Sequence, residues 1–153
     1  MKRILVTAAV LAVGAGTAGV SLAGTADGQG AQKRALAPVT TDAQAQCEAA
    51  GSTNGKTTTG NATGFVILNA PGKVGATTRV VGEVSLKKAD ADTHYLVFLA
   101  QNGSCSSIGD LYTNGAGNGN SHVETVGAPG QYYVVLQDVG MTERYASYPA
   151  IIK

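Results

Sequence analysis

The side chains in this 153-residue chain that could carry chemistry are two histidines, two cysteines, ten acidic residues and six tyrosines. His94 and His122 are the only imidazoles. A zinc or copper site wants three or four imidazole or thiolate ligands at defined spacing. Two isolated histidines do not supply that, and the plain reading places both at strand ends or on the surface. Asp90 and Asp92, with Asp110 or Asp138 joining in space, could offer oxygens to calcium. Calcium needs six to eight oxygens, no EF-hand loop is present, and paired aspartates in a short loop are turn formers. Serine, histidine and aspartate all occur, but no Gly-x-Ser-x-Gly elbow supports a triad. Paired carboxylates for glycoside hydrolysis would have to come from Glu83, Glu124, Glu143 and the aspartates, and Glu83 alternates with apolar residues as a solvent-facing strand position does. These residues point to no reaction and no cofactor; the expectation is a protein that is not an enzyme.

Cys47 and Cys105 read differently once the compartment is considered. Met1, Lys2 and Arg3 form a basic start, residues 4–13 are almost wholly apolar, and Ser21-Leu22-Ala23 puts small residues where signal peptidase needs them. Cleavage is expected after Ala23, with Thr25-Ala26 the next choice. Gly14 and Gly16 break the apolar run, which argues for a cleaved signal over a spanning helix, and no cysteine follows it to carry a lipid anchor. The chain is therefore expected to be secreted. In an oxidising compartment two cysteines most simply make one disulfide, Cys47 to Cys105, which would restrict the unfolded chain by about 4 kcal/mol through loop-closure entropy. Two separate buried thiols, or one reserved for another chain, are the rival readings.

Charge narrows the partners. Without residues 1–23 the chain carries nine Lys/Arg against ten Asp/Glu. No basic stripe remains for nucleic acid or for an anionic membrane surface. An extracellular protein or a cell-wall component is the expected kind of partner.

The elements that must position these residues are strands. Apolar residues make up 44% and charged residues 14%, with 21 glycines and no tryptophan, a composition of short strands joined by tight turns. Residues 24–60 read as a flexible leader. Within it, Thr41 and Gln44 could cap one or two turns of helix over residues 43–50, which Gly51 would stop. Residues 61–153 form the domain, with strands expected at 65–68, 78–86, 95–100, 110–113, 120–126, 131–138 and 144–152. In the second of these, Val80, Val84 and Leu86 alternate with Arg79, Glu83 and Ser85, so one face meets the core. Residues 95–100 and 132–136 are apolar on both faces and read as neighbouring central strands. Pro149 marks an edge or a bend. Seven irregularly spaced strands predict an antiparallel, immunoglobulin-like β-sandwich; a small barrel is the close alternative.

Between the fourth and fifth strands, Asn114-Gly115 and Asn118-Gly119 predict a sharp hairpin turn that lets 110–113 pair with 120–126. Tyr132 and Tyr133 must face opposite ways, one to the core and one outward. Tyr133, Tyr145 and Tyr148 are the candidates for an exposed ridge that meets a partner.

Gly82-Glu-Val-Ser-Leu86, Asp92-Thr-His-Tyr-Leu-Val-Phe-Leu99 and Tyr112-Thr-Asn-Gly-Ala-Gly-Asn-Gly-Asn120 follow one another in an order that resembles small secreted β-sandwich proteins of actinobacteria. The resemblance spans about the last 90 residues and implies an exported immunoglobulin-like sandwich, with no activity and no site residues attached. The expected role is a secreted, non-catalytic binding or cell-envelope module. A small secreted inhibitor of an extracellular hydrolase is the alternative.

Overall fold

The computed structural model describes residues 29–39 and 63–153. Nine strands are present among them: β1 Gln29–Pro38, β2 Thr63–Val74, β3 Thr77–Lys87, β4 His94–Gln101, β5 Ser104–Tyr112, β6 Gly119–Gly127, β7 Gly130–Asp138, β8 Arg144–Ser147 and β9 Ala150–Ile152. All pairings are antiparallel. The all-β reading holds, but the two-sheet, seven-strand sandwich does not. The strands form one path, β5-β4-β7-β8-β1-β2-β3-β6, with β9 paired to the start of β7. The two ends of that path, β5 and β6, come into contact, so the sheet curls into a nearly closed eight-strand barrel.

Two corrections explain the difference. Residues 29–38, expected to be leader, form β1, which sits between β2 and β8. Its sequence is poor in β-branched residues, and its place comes from what its long side chains reach. Lys33 Nζ lies 3.8 Å from the centre of the Phe65 ring. Arg34 Nε donates to the Pro149 carbonyl at 2.6 Å. The Gln32 side-chain amide brackets Ile151, donating to its carbonyl at 2.5 Å and accepting from its N–H at 3.1 Å. Neighbours of this kind decide strand formation more than intrinsic preference does. The second correction concerns the hairpin. β5 pairs with β4 and β6 pairs with β3, and no ladder joins β5 to β6 among the described pairings. The Asn-Gly turn instead brings the two edges of the sheet together. A Cβ on Gly119 would lie 2.5 Å from the Tyr112 carbonyl oxygen, so only glycine fits that close approach.

The core fills the barrel. Val66 and Leu68 of β2, Val80, Val84 and Leu86 of β3, Tyr95, Val97 and Leu99 of β4, and Val134 and Leu136 of β7 belong to one buried cluster. The alternation expected for 78–86 is met at Val80, Val84 and Leu86, all buried, and at Arg79 and Glu83, both exposed; Ser85 is buried. The two-sided apolar runs have a second cluster on the other face, made of Ala100, Tyr133, Val135 and Ala146 with Val39, against which Phe98 and Cys105 pack. Tyr132 and Tyr133 do face opposite ways, but both are buried, because each face has its own apolar cluster. Pro149 lies in the bend between β8 and β9. The helix expected at 43–50 and Cys47 lie outside the described residues.

Candidate functional site

One end of the barrel is built from three turns, at residues 88–93, 113–118 and 139–143, and holds most of the residues singled out from the sequence. Asn114 organises the middle turn. Its side-chain oxygen accepts the N–H groups of Ala116 at 2.9 Å and Asn118 at 3.1 Å. Its backbone N–H donates to the Asn118 carbonyl at 2.9 Å and its carbonyl accepts from Gly117 at 2.8 Å. The turn lies down on residues 88–93. Ala89 N–H donates to the Gly117 carbonyl at 3.1 Å and Asp92 N–H to the Asn114 carbonyl at 3.2 Å. The buried Thr113 hydroxyl donates to the Asp90 carbonyl at 2.6 Å and accepts from Thr93 N–H at 2.9 Å.

Beneath these turns the end is plugged by Glu143. Its carboxylate accepts hydrogen bonds from the hydroxyls of Tyr95 and Tyr145 and from Asp90 N–H, the last at 3.1 Å. The two phenol rings are tilted at 58° with centres 6.1 Å apart. Burial, then the bond to Glu143 and its negative charge, pushes both phenols well above the ordinary tyrosine range. They stay protonated donors. Asp138 is likewise committed, its carboxylate accepting from Glu143 N–H at 2.6 Å and from the Thr142 hydroxyl at 3.0 Å. Asp90 serves this plug through its backbone N–H, and Asp92 holds the Asn114 turn through its own. No group of three or more His, Cys, Asp or Glu side chains is placed to hold a metal among the described residues.

Each histidine meets a carboxylate on the outside of the barrel. His94 Nε2 lies 2.6 Å from Asp110 Oδ1, across β4 and β5. His122 Nδ1 lies 2.5 Å from Glu83 Oε1, across β3 and β6. Beside the latter, Arg79 grips Glu124 with two bonds of 2.6 Å, and that bonding holds the Glu124 carboxyl below its usual range. A cavity of about 130 Å³ opens near the other end, at the seam between β5 and β6, lined by Gln101, Ser104, Ser106, Thr125 and Tyr132 among others. Neither histidine lines it.

Of the seven exposed large apolar or aromatic side chains among the described residues, three, Tyr112, Val139 and Met141, belong to the plugged end. The Tyr112 ring stacks on His94 with centres 4.3 Å apart and an angle of 12°. The His94 carbonyl accepts from Val139 N–H at 3.1 Å. Met141 follows two residues later, in the left-handed region with φ 59°. Tyr112 is 65% exposed, Val139 56% and Met141 63%. This set, beside the His94–Asp110 pair, is the candidate site.

No family model, curated protein or solved structure matches the chain.

The tyrosine ridge expected from the sequence is not formed: Tyr133 and Tyr145 are buried, and only Tyr148 of that set is exposed. Tyr112, Val139 and Met141 were not singled out as contact residues. Tyr112 is the one a sequence signal could have found, since it directly precedes a rigid turn and pairs with His94 across β4 and β5. Cys105 sits on β5, paired with Ala100. It is not a free thiol among the described residues.

Proposed function

We propose that the chain is an exported, non-catalytic binding module that engages an extracellular protein or a cell-wall component through the rim of Tyr112, Val139 and Met141. The observation that carries this reading is the rim itself. An aromatic ring, a thioether and a branched aliphatic stand exposed together on a rigid, plugged barrel end. Tyrosine and methionine are enriched in interfaces, and adjacent exposed apolar groups on a rigid frame are costly to keep without a partner. The Tyr112 ring is already held against His94, so little side-chain freedom is lost on contact. The same reading includes export through residues 1–23, a Cys47–Cys105 bridge, and kinship with the small secreted actinobacterial β-proteins that the sequence resembles. In support of a non-catalytic role, both histidine–carboxylate pairs lie on outward faces and not in the described cavity. The inhibitor alternative gains little from the Asn-Gly turn, which lies against residues 88–93 and does not stand away from the barrel as a reactive loop would.

The test is co-sedimentation of the mature protein with purified bacterial cell wall, chitin and cellulose, alongside binding assays with secreted proteases. Tyr112→Ala and Met141→Ala are expected to weaken binding while leaving the thermal unfolding midpoint unchanged. Wild-type protein that binds none of these, or rim variants that bind as well as wild type, would refute the assignment.

A further inference from the structure

β5 and β6 are the two ends of the strand path, and each pairs along one edge only among the described residues. Near the Asn-Gly turn the free edges touch. A Cβ on Gly109 would lie 3.1 Å from Val123 Cγ1, just as Gly119 lies against the Tyr112 backbone. Farther from the turn the β4–β5 register shifts between Val97 and Phe98, and such a shift bends a strand. Beyond it the cavity of about 130 Å³ opens between the edges, away from the rim. Ser104 and Ser106 of β5 and Thr125 of β6 flank it, with Gln101 of β4 and Tyr132 of β7.

The lining holds no Asp, Glu, Lys, Arg or His. The Tyr132 hydroxyl donates to the Ala128 carbonyl at 2.6 Å, and Gln101 Nε2 donates to the same carbonyl at 2.9 Å. That shared acceptor orients both groups and leaves each with capacity to spare: lone pairs on the phenol oxygen, Oε1 and a second N–H on the amide. Gly127 admits the phenol, since a Cβ there would lie 2.1 Å from its oxygen. The hydroxyls of Ser104, Ser106 and Thr125 have no hydrogen-bond partner among the described residues. Thr78 Oγ1, on a residue 2% exposed, is the one buried side-chain polar atom without a partner among the described residues. Buried hydroxyls are rarely left so. Thr78 stands opposite Gly127 across β3 and β6, which puts its Cβ within about 8 Å of the Tyr132 oxygen. This end of the barrel thus holds more hydrogen-bonding capacity than its own residues use.

We propose that this cavity binds one sugar ring of a neutral glycan, at a site separate from the rim and independent of it. The lining sets the ligand class. An ionised group brought here would give up water and meet no opposite charge, which disfavours phosphates, carboxylates and amines. Hydroxyls and a primary amide each donate and accept, as the ring hydroxyls of a sugar do. The free edges of β5 and β6 add backbone N–H and C=O groups that no strand takes up among the described residues. Size agrees. An enclosed cavity of about 150 Å³ holds benzene, so this slightly smaller one, open to solvent, takes a single six-membered ring. Its exocyclic groups and the next sugar residue would lie outside, over the exposed Ser104 and Val126.

Titration of isotope-labelled mature protein with the methyl glycosides of glucose, galactose, mannose and N-acetylglucosamine, followed by amide chemical shifts, tests the site. At least one glycoside should saturate the protein in the millimolar range, shifting the amides of Ser104, Ser106, Thr125 and Gly127 and leaving those of Tyr112 and Met141 in place. The matching uronate, which adds a carboxylate, should bind several-fold more weakly. Thr125→Val and Ser106→Ala each remove one hydroxyl with little change of shape. Each should weaken binding about tenfold, with the thermal unfolding midpoint unchanged. Tyr112→Ala should bind the sugar as wild type does, so a failure here is distinguishable from a failure of the rim reading. No saturation by any glycoside, equal binding of the uronate, shifts confined to the rim, or hydroxyl variants that bind as wild type would each overturn the proposal. A short neutral peptide that shifts the β5 and β6 amides where the sugars do not would assign the seam to strand addition and overturn it as well.

Discussion

Replacing Gly117 with alanine tests whether the Asn-Gly turn is a docked part of the barrel end or a loop free to meet a partner. Gly117 has φ +71°, and a Cβ there would lie 2.0 Å from the Ala89 carbonyl oxygen. The left-handed conformation alone costs a non-glycine residue about 1–2 kcal/mol. The contact cannot be relieved by a rotamer, because the obstacle is backbone. Residues 88–93 and 113–118 must part, and the Ala89–Gly117 and Asp92–Asn114 bonds between them, at 3.1 and 3.2 Å, are lost or stretched. At about 1 kcal/mol net for each bond, Gly117→Ala should cost about 3–4 kcal/mol in all.

Two further glycines make the measurement self-controlled. Gly75 has φ +64° with nothing within 4 Å of its Cβ position, so Gly75→Ala isolates the backbone cost, about 1–2 kcal/mol. Gly115 has ordinary contacts, the nearest at 3.8 Å, and no left-handed φ, so Gly115→Ala should fall within about 0.5 kcal/mol of wild type. Urea unfolding followed by far-ultraviolet circular dichroism gives all three on one scale. If Gly117→Ala is no worse than Gly75→Ala, the turn is not docked, and the argument against a protruding inhibitory loop fails with it.

Three other outcomes follow from the core and the plug. Tyr145→Phe removes one of the two phenol donors to Glu143 with little change of shape, and should cost about 1.5–3 kcal/mol in the same urea assay, as bonds to charged groups do. Leu136→Ala empties a fully buried position between β4 and β8, and should cost about 2–5 kcal/mol. Alkaline pH should unfold the protein. Tyr95, Tyr132 and Tyr145 all have pKa values raised above 10.0, chiefly by burial. The unfolded chain therefore loses these protons first. Stability is full below pH 10 and falls as pH rises beyond it, by about 1.4 kcal/mol per pH unit for each tyrosine ionised only in the unfolded chain. A pH series of urea midpoints checks this, and a flat profile above pH 10 would contradict the plug.

Much of the fold was legible because the strands that make it are strongly patterned. Val80, Val84 and Leu86 declared the inner face of β3, and the two-sided runs in β4 and β7 declared that both their faces are covered. β1 was not legible, since Gln32, Lys33 and Arg34 act there through partners more than 30 residues away in sequence, at Phe65, Pro149 and Ile151. The choice between sandwich and barrel turned on that missing strand. Period-2 alternation states which face of a strand is buried, but not which strand lies beside it. The rim was illegible for a related reason. Tyr112, Val139 and Met141 are ordinary residues in sequence, and what distinguishes them is that β5 and the turn after β7 bring them to one edge.

The outward row of β4 runs from the rim to the outer apolar cluster. His94 stands at its rim end, followed by Leu96 and Phe98, both half-buried, and then by Ala100, which is buried. The row thus runs along a single strand from the Tyr112–His94 stack to the cluster beside Cys105. The barrel end supplies the rigidity, through a carboxylate plug that fixes 88–93 and 139–143 together.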